Sequence, residues 1–248
     1  MDKIVLITGG SRGIGAAAAL LAAQRGWAVA INYLRHAEAA NGVVRQIEAA
    51  GGRAIAVQAD VAVEADVVTL FETVDHRLGR LTVLVNNAGV VDRPARVDEM
   101  HGERLRRMFS INVLGAFYCV REAVLRMSTR HGGAGGSIVN VSSIAARLGA
   151  PHQYVDYAAS KGALDTLTIG LAHEVGGEGI RVNAVRPGLI DTDIHASGGL
   201  PHRVRDLAGQ VPMGRGGTPE EVAEAIVWLM SDAASYTSAT LMDIAGGR

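Results

Sequence analysis

Apolar residues are spaced along this chain in two alternating ways. Short unbroken apolar runs, bounded by turn residues, occur at Ile4–Ile7, Ala28–Asn32, Ala54–Gln58, Leu81–Val85, Ser137–Val141, Arg181–Val185 and Leu241–Ile244. Each is strand length, and most are rich in Val and Ile. Between them lie longer Ala-, Leu-, Glu- and Arg-rich stretches with helical spacing, at Ile14–Gln24, Ala37–Ala49, Ala65–Arg77, Glu103–Thr129, Asp156–Val175 and Pro219–Met230. Strand, helix, strand is the crossover that parallel neighbours require. Unbroken rather than alternating apolar runs fit strands covered on both faces. The pattern predicts an α/β chain with one parallel sheet between two layers of helices.

The rhythm fails once, across residues 191–217, where Gly198, Gly199, Pro201, Gly209, Pro212, Gly214, Gly216 and Gly217 interrupt it. A connection that long points to function or disorder. No internal repeat and no linker-like stretch divides the chain, so residues 1–248 are read as a single domain with a substrate-loop segment at 191–217.

Composition narrows the classes. With 48% hydrophobic residues, 20% charged and 6 prolines in 248, the chain is neither disordered nor collagen-like, and one cysteine excludes a disulfide framework. The 24 basic and 25 acidic side chains leave a formal charge of −1, which gives nucleic-acid binding little electrostatic support. The opening MDKIVLITGG turns at glycines well short of the ~20 residues needed to span a bilayer. The expectation is a cytoplasmic protein with neither a nucleic-acid nor a membrane partner. The eight histidines form no His-x-x-x-His pair and Cys119 stands alone, so no metal site is expected. Asp98-Glu99 and Glu220-Glu221 are adjacent rather than convergent carboxylates, and Ser142-Ser143 lies outside any Gly-x-Ser-x-Gly.

Two motifs carry chemistry. Thr8-Gly9-Gly10-Ser11-Arg12-Gly13-Ile14-Gly15 closes the first strand and opens the first helix. There glycines permit a tight turn and close backbone approach, while unpaired N–H groups and the helix dipole favour a pyrophosphate. The spacing is Gly-x-x-x-Gly-x-Gly rather than Gly-x-Gly-x-x-Gly. At the end of the second strand, where a carboxylate would hold the 2′-hydroxyl of NAD, the sequence reads Asn32-Tyr33-Leu34-Arg35. Arg35, with Arg12 from the loop, suits the 2′-phosphate of NADP instead, so NADP is expected over NAD.

The second motif is Tyr157-Ala-Ala-Ser-Lys161, four residues apart on one helix face. Lowering a phenol by three pKa units takes ~4 kcal/mol, about what one cation at ~4 Å supplies at an effective dielectric of ~20. A lysine can thus prepare a tyrosine for acid–base work. Val139-Asn140-Val141-Ser142-Ser143 ends a strand at the edge where open α/β sheets bind ligands, so a serine there can donate to a substrate oxygen or close the following turn. Tyr154, seven residues before Lys161, is expected to line the substrate pocket.

Thr8–Gly15, Asn86-Asn87-Ala88-Gly89, Ser143 and Tyr157-x-x-x-Lys161, in this order, closely resemble the short-chain dehydrogenase/reductase family over essentially the whole chain. Arg186-Pro187-Gly188 and Asp243-Ile244-Ala245-Gly246-Gly247 share the likeness. The resemblance implies a Rossmann-like, doubly wound, seven-stranded parallel sheet with helices on both faces. It implies that Tyr157 exchanges the hydroxyl proton, Lys161 holds the nicotinamide ribose, Ser143 orients the substrate oxygen, and Asn112 supports a water-linked relay. Asn86, Asn87, Ala88 and Gly89 would lie along the cofactor, Asp60 and Val61 near the adenine, and Pro187, Gly188, Ile190 and Thr192 by the carboxamide. Asp60 also reads as a cap for the next helix, and Asn112 as a residue at a helix bend. Ser143 precedes Tyr157 by 14 residues, one more than many members show, which keeps Ser142 as a candidate.

The activity expected is hydride transfer between NADP and a small alcohol or carbonyl substrate, in a homotetramer. A sugar dehydrogenase and a 3-oxoacyl carrier-protein reductase, the latter docking on Arg121, Arg126 and Arg130, are alternatives. A non-catalytic cofactor-binding regulator is a third.

Overall fold

The computed structural model describes residues 3–248. Seven strands, β1 (Ile4–Ile7), β2 (Ala28–Tyr33), β3 (Ala54–Gln58), β4 (Val83–Asn86), β5 (Gly136–Val141), β6 (Ile180–Pro187) and β7 (Leu241–Ile244), form one parallel sheet in the order β3-β2-β1-β4-β5-β6-β7. The helices are α1 (Gly13–Gln24), α2 (Ala37–Ala49), α3 (Glu64–Arg77), α4 (Gly102–Phe109), α5 (Gly115–Met127), α6 (Ala145–Leu148), α7 (Val155–Val175), α8 (Ile194–Ser197), α9 (Arg203–Leu207) and α10 (Pro219–Met230).

Successive strand residues point to opposite faces. Val5 and Ile7 of β1 therefore pack into the apolar layer under α1, α2 and α10, and Ile4 and Leu6 into the layer under α3, α5 and α7. β1 is fully buried, as its unbroken apolar run anticipates. From β1 the chain winds outward to β2 and β3, then returns to β4 on the other side. The loops after β1 and β4 diverge at this reversal and leave a crevice at the carboxyl ends of the strands. The site lies there.

β1, β3, β7, α2 and α10 match the sequence pattern end to end, whereas β4 starts two residues later than its apolar run. The larger departure is the helical stretch expected over Glu103–Thr129. It divides into α4 and α5 around a π turn at Ser110–Leu114. The side chain of Asn112 inserts there and engages the backbone of Val90 in both directions, with Oδ1 accepting at 2.8 Å and Nδ2 donating at 3.0 Å. Gly115 closes the turn so near the loop after β3 that a Cβ would lie 2.9 Å from the Val61 carbonyl. Gly102–Met127 is also, among the described residues, the helical stretch long and apolar enough to cross a membrane. It serves as a core element, with Cys119, Val120, Ala123 and Met127 buried against the sheet.

Candidate active site

One cavity of about 900 Å³ runs along the carboxyl ends of the strands. Its first wall is the loop between β1 and α1, where Gly9, Ser11, Arg12, Gly13 and Ile14 line the space. Gly9 (φ +62°) and Gly13 (φ +54°) take left-handed conformations that other residues adopt at a cost. α1 begins without a side-chain cap and without an acidic residue in its first turn, so its N–H groups and positive dipole end face the cavity unneutralised. Gly15 does not line the cavity. It sits behind the wall, where a Cβ would come within 2.6 Å of both Asn87 Nδ2 and the Gly9 carbonyl.

That close approach locks two loops together. Asn87 Nδ2 donates to the carbonyls of Thr8 (2.9 Å) and Gly9 (3.0 Å), and Thr8 Oγ1 accepts from the N–H groups of Asn87 and Ala88, both at 3.0 Å. Asn87, Ala88 and Gly89 reach the cavity. Asn86, expected beside them, does not: its side chain is buried and donates to the Ala116 carbonyl and to Asn140 Oδ1. Alternate strand residues face opposite sides, so only one of the two asparagines can look into the crevice.

Tyr33, Arg35, Asp60 and Val61 line the end beyond β2 and β3. Asp60 Oδ1 accepts from the Ala62 N–H at 2.9 Å, closing a turn ahead of α3, whose N-cap position is Val63. It is therefore not the helix cap. Arg12 reaches across the cavity mouth to Asp193, 3.8 Å away. A glycine cradle that a Cβ would fill, an open helix N-terminus and two arginines at the far end fit a dinucleotide, with its pyrophosphate on the α1 N–H groups.

At the other end stand Tyr157 and Lys161 of α7, with Ser143 from the loop after β5. α7 is positioned by a buried ion pair next to the tyrosine: Arg104 grips Asp156 at 2.8 and 3.1 Å and donates to the Arg93 carbonyl at 2.6 Å. Sequence reading missed this pair, whose partners lie 52 residues apart. Ser142 Oγ donates to the Lys161 carbonyl at 3.1 Å, deep in the wall, while Ser143 Oγ accepts from the Ala145 N–H and contacts the phenol.

The electrostatics differ from the simple pair expected. Lys161 Nζ donates to the Val141 carbonyl at 2.8 Å and lies 5.6 Å from the centre of the Tyr157 ring, over its face rather than beside its hydroxyl. Burial pushes the phenol up, opposed by its hydrogen bond to Ser143. Burial also pulls the ammonium down to about 8, opposed by Asp165 one turn further on. At both groups desolvation outweighs the opposing effect, the Ser143 hydrogen bond at the phenol and the Asp165 charge at the ammonium.

Asn112 stands behind this end. Its Nδ2 also reaches Ser160 Oγ at 3.1 Å, and a Cβ on Gly89 would lie 3.5 Å from its Oδ1 and 3.4 Å from Lys161 Nζ. Pro187, Gly188, Ile190 and Thr192 form the wall after β6. Beyond them residues 191–217 fold into α8 and α9, pinned by a bridge between Ile190 and Gly217 and by His195 Nε2 on the Ile190 carbonyl at 2.9 Å. Tyr154, the N-cap residue of α7, lines the cavity as expected. Gln153, His195 and Arg203 line it too; the glycine-rich composition of residues 191–217 was the only signal, and it covers just the last two.

A crevice at the strand reversal, a glycine-lined helix N-terminus and a partly buried tyrosine beside a buried lysine are the features of a dinucleotide-fold oxidoreductase. The chain belongs to the short-chain dehydrogenase/reductase family, whose work is on alcohol and carbonyl groups with a nicotinamide cofactor; a family profile described as enoyl-(acyl carrier protein) reductase matches residues 9–248. It is 55% identical over 245 residues to the uncharacterized oxidoreductase YgfF of Escherichia coli K12, covering 99% of both chains. It is 41% identical over 247 residues to the cis-4-hydroxycyclohexanecarboxylate dehydrogenase of Sinomonas cyclohexanicum, covering 99% of this chain and 96% of that one. Identity to the L-rhamnose 1-dehydrogenase (NAD(P)(+)) of a Sphingomonas species, strain SKA58, is 39% over 246 residues, covering 99% and 95%.

Proposed function

We propose that this protein is an NADP-dependent dehydrogenase or reductase of a small secondary alcohol or its ketone, with Tyr157 as the proton-transfer group. The observation that carries this reading is that one cavity holds the glycine cradle at one end and Ser143, Tyr157 and Lys161 at the other. Bound along the cavity, the dinucleotide supplies the hydride chemistry that side chains lack. Gly9, Ser11, Gly13 and Ile14 would hold its pyrophosphate, Arg12 and Arg35 its 2′-phosphate, Asp60 and Val61 its adenine, and Asn87, Ala88 and Gly89 its middle. Pro187, Gly188, Ile190 and Thr192 would flank the nicotinamide, and Gly15 acts indirectly, by letting the cradle close on Asn87.

Tyr157 and Ser143 direct their hydroxyls at one substrate oxygen, so their hydrogen bonds strengthen as negative charge develops there during reduction. Tyr157 gives up its proton to that oxygen, or takes it in the oxidative direction. Lys161, over the ring, provides the charge that favours a phenolate when cofactor and substrate exclude water. Asn112 keeps the π turn and the Val90 backbone in place behind them, consistent with a supporting part in proton relay.

The ring-borne hydroxyl in the name of one relative, the cis-4-hydroxycyclohexanecarboxylate dehydrogenase, favours a cyclic secondary alcohol. Carrier-protein docking has less support, because Arg121 is engaged by Glu64 and Glu122, Arg126 by Asp75 and Glu122, and Arg130 by Glu178. A homotetramer in the cytoplasm completes the reading. Phe109, Leu114, Phe117 and Leu125 on the α4–α5 face, and Trp228 and Tyr236 near β7, are exposed apolar side chains of the sort that subunit contacts cover. The test is a panel of cyclic and acyclic alcohols and ketones followed at the nicotinamide absorbance with both cofactors. Turnover with NADP favoured is expected, and an Arg35→Glu variant should shift the cofactor ratio toward NAD by at least about tenfold. A clear NAD preference in the parent protein would reverse the cofactor assignment.

A further inference from the structure

The cavity does not end at Tyr157. One turn back along α7, the buried ring of Tyr154 carries the guanidinium of Arg203, the first residue of α9, 5.2 Å from the ring centre. Both residues line the same cavity as Tyr157. Of the other arginines near this end, all but Arg248 are paired. Arg107 holds Asp92 at 3.1 Å, Arg104 holds Asp156 at 2.8 Å, and Arg12, reaching over from the glycine loop, faces Asp193 at 3.8 Å. Arg205, two residues on, turns to Asp206 at 3.2 Å. Among the described residues, Arg203 has neither a carboxylate within 4 Å nor a hydrogen-bond acceptor.

The surroundings offer it no countercharge. Arg248, which also lines the cavity, adds a second positive charge. Burial lowers the Arg203 pKa and the Arg248 charge lowers it further, with only Tyr154 opposing. His195 is held neutral-leaning by burial and presents Nε2 to the Ile190 carbonyl, so it brings no negative charge. Asp193, the carboxylate at this mouth, is occupied by Arg12. A guanidinium held over an aromatic face is restrained there by the cation–π attraction, and its planar fork matches a carboxylate edge.

We propose that Arg203, held over the ring of Tyr154, takes the carboxylate of the substrate, so that this enzyme works on small hydroxy and oxo acids rather than on neutral sugars. Tyr154 and Tyr157 are three residues apart, a rise of about 4.5 Å, so the acid group lies a few bonds from the reacting carbon. This inference rests on the dehydrogenase reading and narrows its substrate class.

The test compares 4-oxocyclohexanecarboxylate with its primary amide as substrates of the whole enzyme. A charge-assisted pair makes the acid:amide kcat/KM ratio about 10–100 in the parent protein, mainly through KM. Arg203→Leu should bring the ratio close to one, and Arg203→Lys should keep part of it. The ratio is internal to each variant, so partial loss of folded enzyme cancels. A parent ratio near one, or a ratio that Arg203→Leu leaves alone, overturns the proposal. Calorimetric titration with unreactive cyclohexanecarboxylate, cofactor present, separates the two readings. If no alcohol or ketone is turned over, the dehydrogenase reading falls, yet binding abolished by Arg203→Leu still supports the anion site. Absent or equal binding removes it.

Discussion

The two ends of the cavity are built from different materials. At the cradle end the wall is backbone: glycines, an uncapped helix N-terminus and two loops tied by Asn87 and Thr8. At the other end the wall is side chain: a phenol, an ammonium and a hydroxyl, held by hydrogen bonds to Val141 and Ala145 and by the Arg104–Asp156 pair. The first end is intolerant of added atoms, and the second of lost or misplaced protons. Binding and chemistry should therefore come apart under mutation.

The strongest test of that separation is Tyr157→Phe. It removes one oxygen and should lower kcat by about 10²–10⁴-fold, while cofactor binding measured by nicotinamide fluorescence stays near its parent value. Retained turnover would move the proton-transfer role elsewhere.

A second test uses the lysine. With its pKa pulled to about 8 by burial, Lys161 binds fewer protons in the folded chain than in the unfolded one between about pH 8 and 10.5. Stability of the cofactor-free protein should therefore rise with pH across that window, by up to about 3 kcal/mol. Tyr157, whose pKa burial raises, works in the opposite direction only above about pH 10. Urea unfolding at pH 8, 9 and 10 checks this, and the same slope in Lys161→Met would show that another group is responsible.

The smallest effect belongs to the cradle. Gly15→Ala places a methyl 2.6 Å from Asn87 Nδ2 and the Gly9 carbonyl, so the loops must separate, at a cost of about 1–3 kcal/mol. The dinucleotide should bind more weakly with kcat at saturating cofactor little changed. Unchanged cofactor affinity would mean that the cradle does not depend on this contact.

Much of the fold was legible in the chain. Local apolar spacing placed every strand within a few residues, most plainly for the central ones, because strands buried on both faces write themselves as unbroken apolar runs, whereas the edge strands β3 and β7 are only partly buried. The glycine loop was legible too, since its turn needs only glycines between a strand and an alanine-rich helix, all adjacent in the chain. Asn86 and Asn87 were not separable by eye, because facing depends on where the strand ends. The π turn at Ser110–Leu114 was legible only as a bend at Asn112, because the groups that hold its side chain, Val90 and Ser160, lie 22 and 48 residues away.

What the sequence by itself determined is therefore the sheet, its helical layers and the identities of the reactive groups, all of which derive from local spacing and residue chemistry. Tertiary structure alone decided what those groups experience. It set Lys161 over the face of Tyr157 rather than beside its hydroxyl, put Asp156 in the grip of Arg104, and left Arg203 on Tyr154 without a countercharge. Charge, burial and proton affinity depend on neighbours brought together from distant parts of the chain, 52 positions apart for Arg104 and Asp156, and no local pattern records them.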